Sequence, residues 1–139
     1  MSEKHSEDQA RAQLAGIIEM AKALHTASET DFSRGIDGDI LDADQVLERI
    51  QEHPLSIEVR SDWYIPSSDA AGNAPAEYCI LLCTGGPAVR IVGGLDRYCE
   101  PDGVRLEHQD WGTPWAVLPI DEASREWLLV YARQFYFGD

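Results

Sequence analysis

Apolar residues recur at three- and four-residue spacing from early in the chain. Leu14, Ile17, Ile18, Ala21 and Leu24 form one stripe, the pattern of an amphipathic helix. Ser6 followed three residues later by Gln9 has the form of a capping box, so the spacing predicts a helix over about residues 7–27. Residues 28–41 carry Gly35, Gly38 and scattered acids and read as a loop. Asp42 with Gln45 is a second cap signal, and Val46, Leu47 and Ile50 give the following segment a single apolar stripe. Pro54 denies its predecessor the α region and stops that helix after about three turns. A helix this short must dock on something.

From Leu55 the period changes to two. Leu55, Ile57 and Val59 alternate with Ser56, Glu58 and Arg60, the pattern of a strand with one wet face. Residues 65–76 form a polar Pro/Gly/Ser stretch and read as a loop. The run Tyr78-Cys79-Ile80-Leu81-Leu82-Cys83 is apolar on both faces and reads as a central strand. Thr84-Gly85-Gly86-Pro87 reads as a turn, because paired glycines permit positive φ and Pro87 cannot donate to a ladder. Val89 to Leu95 returns as a third strand closed by Gly93-Gly94, and Val104 to His108 is a fourth. Asp121 can cap a last helix with Trp127, Leu128, Tyr131 and Phe135 on its buried face and Gly138 at its end.

This order of helix, helix, four strands, helix predicts a single α+β domain over residues 1–139. Short links between the strands favour a four-stranded antiparallel meander with two N-terminal helices and one C-terminal helix packed on it. Tyr78, Ile80 and Leu82 are expected to face the helices beside Val89 and Ile91, covered by Trp127 and Tyr131.

Charge narrows the functional classes. Lys and Arg number 11 against 25 Asp and Glu, a formal net charge of −14. A direct hold on a nucleic-acid backbone needs a basic face, and anionic lipid would repel this chain. No apolar run approaches a membrane span, and the segment MSEKHSEDQA lacks the apolar stretch of a signal peptide. The expectation is a cytoplasmic protein. Its acids are unevenly spread, since residues 31–53 hold seven against two arginines, a net −5.

Candidate chemistries are weighed against that background. Cys79 and Cys83 on one strand would stand about 13 Å apart, too far to share a tetrahedral zinc with Cys99 and His108. Asp37, Asp39 and Glu48 fall at positions one, three and twelve of a calcium loop, but Leu41 and Asp42 occupy positions five and six, where a ligand and a glycine are needed. Thr84-Gly85-Gly86-Pro87 has neither the lysine nor the spacing of a phosphate loop. No cofactor is implied. No spacing sets a base beside a thiol, and no carboxylate pair sits in an apolar run that would raise a pKa for acid catalysis.

Two interaction surfaces remain. One is acidic, with Asp31, Asp37, Asp39, Asp42, Asp44 and Glu48 flanking the second helix. The other is aromatic, Asp110-Trp111-Gly112-Thr113-Pro114-Trp115, a stiff loop that either plugs the sheet end or presents Trp111 and Trp115 as binding anchors.

The stretches EYCILLCTGGPAVRIVGGLDRY (77–98), QDWGTPW (109–115) and YARQFYFGD (131–139) resemble a family of small acidic proteins of uncharacterised function met in bacteriophages, prophages and bacterial mobile elements. The likeness covers the carboxy-terminal half and fades over residues 1–54, and it carries no functional residue with it. It implies a small accessory protein of mobile DNA, a setting in which such proteins counter host defence. The expected function is a non-enzymatic inhibitor of anti-CRISPR or anti-restriction type. Its acidic surface would imitate DNA and occupy the basic channel of a host CRISPR effector or restriction enzyme. The alternative is a small enzyme or ligand-binding module with a pocket between sheet and helices, in which Cys83, His108 and Asp110 are the first side chains to test.

Overall fold

A computed structural model describes residues 2–30, 33–36, 39–61, 63, 75–84 and 87–137, with side chains described from residue 6 onward except over 33–36 and 39–40. Helix α1 (Ser2–Thr30) leads into a hairpin of β1 (Ser33–Ile36) and β2 (Asp39–Leu41), then α2 (Ala43–Glu52). Strands β3 (Ser56–Ser61), β4 (Pro75–Cys83), β5 (Ala88–Gly94), β6 (Arg105–Gln109) and β7 (Ala116–Val117) precede α3 (Glu122–Ala132). The strands β3 to β7 pair in chain order, every pair antiparallel. The class is α+β with three helices on an antiparallel meander, as the pattern predicts, but the sheet has five strands rather than four.

The extra strand β7 pairs only at Glu107–Val117 and His108–Ala116. Two residues carry no readable period, which is why the sequence did not announce it. The stretch read as a loop over 28–41 is also different. Helix α1 runs on to Thr30 because no Gly or Pro interrupts residues 17–34, and β1 and β2 then pair through Ser33–Leu41 and Ile36–Asp39. The Asp37-Gly38 dipeptide between them is a hairpin signal. Helix α1 also starts earlier than expected, so Ser6 lies inside it and does not cap it. At the other end, α3 stops at Ala132, and Phe135 lies beyond the helix. The Gly85-Gly86 turn, Gly138 and residues 65–74 fall outside the described residues.

The core lies between one face of the sheet and the helices. Tyr78, Ile80 and Leu82 of β4, Val89 and Ile91 of β5, and Leu106 of β6 meet Ile17, Met20 and Ala23 of α1 and Leu128 and Tyr131 of α3. Phe137 closes over Tyr78 with ring centroids 5.0 Å apart. Trp127 is not among the buried residues. It is half-buried where α3 meets α1, edge-on to His25 at 6.0 Å and with Lys22 Nζ 5.9 Å from its ring. Among the described residues no helix is long and apolar enough to cross a membrane.

Helix α2 is seated by Val46 and Ile50, both fully buried, and begins with the expected capping box. Asp42 accepts the Gln45 N–H at 2.9 Å, and Gln45 Oε1 accepts the Asp42 N–H at 3.0 Å. Its far end is tied to α3, since His53 Nδ1 lies 2.7 Å from the Tyr131 hydroxyl. Burial holds the His53 imidazole below its ordinary value of 6.5. The folded state therefore takes up this proton less readily than the unfolded chain. Its contribution to stability is full above about pH 6.5 and is lost as the pH falls through the lowered folded-state value. We expect the melting temperature to drop across that window and His53→Gln to flatten the drop, which thermal melts between pH 7.5 and about 5 would read. An unchanged profile in the variant would show that another group titrates there.

Candidate functional site

Three carboxylates share one face of α2. With Val46 and Ile50 turned inward, Asp44, Glu48 and Glu52 are left on the outer side of the helix. They stand at i, i+4 and i+8, so the helical rise spaces them about 6 Å apart in a row. Like charges four apart destabilise a helix by about 0.2–0.5 kcal/mol per pair, and Glu52 also sits at the unfavourable end of the dipole. The row is thus a local cost to the fold. Asp42, grouped with these acids in the sequence reading, is spent on the cap. Asp31, Asp37 and the Asp39 side chain lie outside the described residues.

The aromatic segment divides. Trp111 is 86% exposed, at the tip of the turn closed by Thr113 N–H to the Asp110 carbonyl at 3.1 Å. Gly112 sits there at φ 79°, a conformation that suits glycine. Trp115, in contrast, is half-buried and lies over Arg90, whose guanidinium carbon is 4.0 Å from the ring centroid. One tryptophan is therefore open to a partner and the other roofs the sheet. Neither belongs to the main core.

The sheet face away from the helices carries a charge lattice that no sequence spacing revealed. Arg90 and Arg105 both donate to Glu107, at 2.8 Å each, and Arg60 pairs with Glu77 at 2.6 Å. Burial alone would raise the Glu107 carboxyl, but the hydrogen bonds from Arg105 and Arg90 outweigh it and hold the group below the usual carboxylate range. A groove of about 270 Å³ runs over this face, walled by Glu58, Arg60 and Glu77 on one side and Arg90 and Arg105 on the other. Cys79 and Val92 line it as well. Burial pushes the Cys79 thiol up, so it is protonated at neutral pH and a poor nucleophile.

The remaining candidates sit on the helix side. Ser6 Oγ is 2.8 Å from His108 Nδ1, and the Ser6 N–H donates to Asp110 Oδ2 at 3.3 Å. All three residues are buried. The carboxylate thus holds the Ser6 backbone, whereas a nucleophile–base–orienter relay needs it on the far nitrogen of the imidazole. This cluster pins the first turns of α1 to the end of β6. Cys83 packs against the core edge, its thiol pushed up by burial. Cys99 is buried in the turn held by the Asp96 carboxylate, at φ 62°. Between the sheet and the helices, Ile80, Ile91 and Leu128 are fully buried in one apolar cluster, and the groove opens on the opposite face.

No protein-family model matches this chain, and no curated protein or solved structure matches it either.

Proposed function

We propose that this chain is a non-enzymatic inhibitor that acts in the bacterial cytoplasm by binding a basic, nucleic-acid-binding host protein. It would be an accessory protein of phage or mobile DNA, of anti-CRISPR or anti-restriction type. The observation that carries the reading is the outward row Asp44, Glu48 and Glu52, held rigid by a buried stripe and a capping box. A regular line of negative charge on a firm support is what a channel built for a phosphate backbone accepts. Trp111 supplies an exposed aromatic of the type that anchors such contacts.

The test compares the wild type with the triple variant Asp44→Lys, Glu48→Lys, Glu52→Lys. Each is used to capture a partner from host lysate and then measured for association with it at rising salt. Steering across a screening length of about 10 Å at 0.1 M salt predicts that wild-type on-rates fall steeply with salt and that duplex DNA competes. The triple variant should associate roughly tenfold or more slowly at an unchanged melting temperature. Salt-independent association, or a triple variant that binds as fast, overturns the reading. A ligand-binding module remains the second reading, favoured by the open-face groove rather than by Cys83, His108 and Asp110.

A further inference from the structure

We propose that two copies of this chain pair through the outer edge of β3, antiparallel, with Val59 of one copy opposite Val59 of the other. Strand β3 is the last in the sheet order, so among the described residues its outer backbone edge has no partner strand. All six of its residues are exposed. Exposed edges are commonly blunted by shortness, proline or repelling charge. The opposite edge, β7, follows that rule with two residues, whereas β3 has six and no proline.

The strand also offers apolar surface. Ile57 and Val59 stand opposite Ile80 and Tyr78 and so point to the helix side, but α1 packs over β5 and β6. Leu55, Ile57 and Val59 are left 60%, 38% and 44% exposed. An edge that combines free backbone groups with an apolar strip is suited to strand addition.

Charge selects the occupant. A two-fold axis perpendicular to the sheet keeps both helix layers on one side and brings together only residues of like parity. With the axis at Val59, Glu58 of each copy faces Arg60 of the other, two opposite-charge pairs on the open face, and the valines meet on the helix side. Moving the axis to Glu58 sets that carboxylate against itself. Moving it to Ile57 leaves Arg60 without a carboxylate partner across the seam. Arg60 already pairs with Glu77 in its own chain, and the five donors of a guanidinium can serve both carboxylates. On the open face this acidic chain is locally balanced, with Glu58, Glu77 and Glu107 set against Arg60, Arg90 and Arg105.

The full chain is tested by light scattering, with circular dichroism confirming that each variant folds. The expected wild-type mass is twice 15.5 kDa. Glu58→Arg and Arg60→Glu should each give monomers, because each sets like charges against one another at both pairs. Mixing the two variants should restore dimers. The guanidinium introduced by the first substitution then faces the carboxylate introduced by the second, and the native Arg60 of one chain faces the native Glu58 of the other. Under oxidation Val59→Cys should form a covalent dimer above the wild-type background, which Glu58→Cys and Ile57→Cys should not. A monomeric wild type across the micromolar range overturns the proposal and leaves the edge to a foreign strand. Failure of the mixture to dimerise, or preferential cross-linking at residue 57 or 58, overturns the register.

Discussion

Gly93→Ala is expected to destabilise the protein by about 3 kcal/mol or more, through overpacking together with a lost hydrogen bond. Gly93 lies in β5 opposite Tyr78, at a point where the chain after the 96–100 turn folds back over the sheet. A bridge at Leu95–Pro101 and the Asp102 N–H to the Gly94 carbonyl at 3.1 Å fix that return. A methyl on Gly93 would stand 2.0 Å from the Gly103 carbonyl oxygen and 3.0 Å from a Tyr78 ring carbon. The obstacle is backbone, so no side-chain rotation relieves it. Pushing Gly103 away also breaks the bond that its carbonyl accepts from the Tyr78 hydroxyl at 2.7 Å. Against a typical total of ~5–15 kcal/mol this is a large fraction, and the midpoint of thermal unfolding should fall by roughly 10 °C. Gly94→Ala is the control. Its methyl meets only the tip of the Asp102 side chain at 3.0 Å, which can swing aside, so the loss there should be small. Equal effects at the two glycines would mean that the return segment is not seated as described.

How far this was legible follows from particular residues. The two-residue period of a strand sets Tyr78, Ile80 and Leu82 on one face, expected toward the helices, and all three are buried there. The caps at Asp42 and Asp121 were readable because each needs only a short local pattern, and both hold, with Asp121 Oδ1 accepting the Ser124 N–H at 2.7 Å. Gly93 was legible only as punctuation, a residue closing a strand. Its actual role depends on a carbonyl ten positions further on, which no local pattern contains. The acidic row on α2 could be inferred once Val46 and Ile50 were taken as the buried stripe, since helical spacing then forces Asp44 and Glu48 outward. The division between Trp111 and Trp115 could not, because it depends on which face of the sheet the loop folds across. The same holds for the open face. Arg60, Arg90 and Arg105 are far apart in the chain, and only the register of four strands sets them around one groove.

Tyr131→Ala should cost about 3–5 kcal/mol, as truncation of a fully buried aromatic does, and should exceed the cost of Trp127→Ala. The sequence pattern places Trp127 beside Tyr131 over the core face of the sheet, since a short chain has few other aromatics to fill its core. Of the two, the structure seats only Tyr131 in the core, where it is fully buried, edge-on to Phe135 at 5.3 Å and hydrogen-bonded to His53. Tyr131 therefore joins α3 to α2 as well as filling the core. Trp127 lies half-exposed against Lys22 and His25 of α1, where truncation forfeits part of its apolar area and one edge contact, about 1–2 kcal/mol. Tyr131→Phe separates the two parts of the Tyr131 effect. It keeps the ring and removes the hydroxyl that meets His53, so it should cost about 1 kcal/mol and move the acid-side loss of stability, because the imidazole then has no phenol to hold. Urea melts of the three variants at pH 7.5 and again near pH 5.5 measure both quantities. The expected order at the higher pH is Tyr131→Ala, then Trp127→Ala, then Tyr131→Phe, with only the two Tyr131 variants altering the pH dependence. A Trp127→Ala variant as unstable as Tyr131→Ala would place the indole in the core and require α3 to be rotated by about one residue, roughly 100°, which would also carry Tyr131 away from His53.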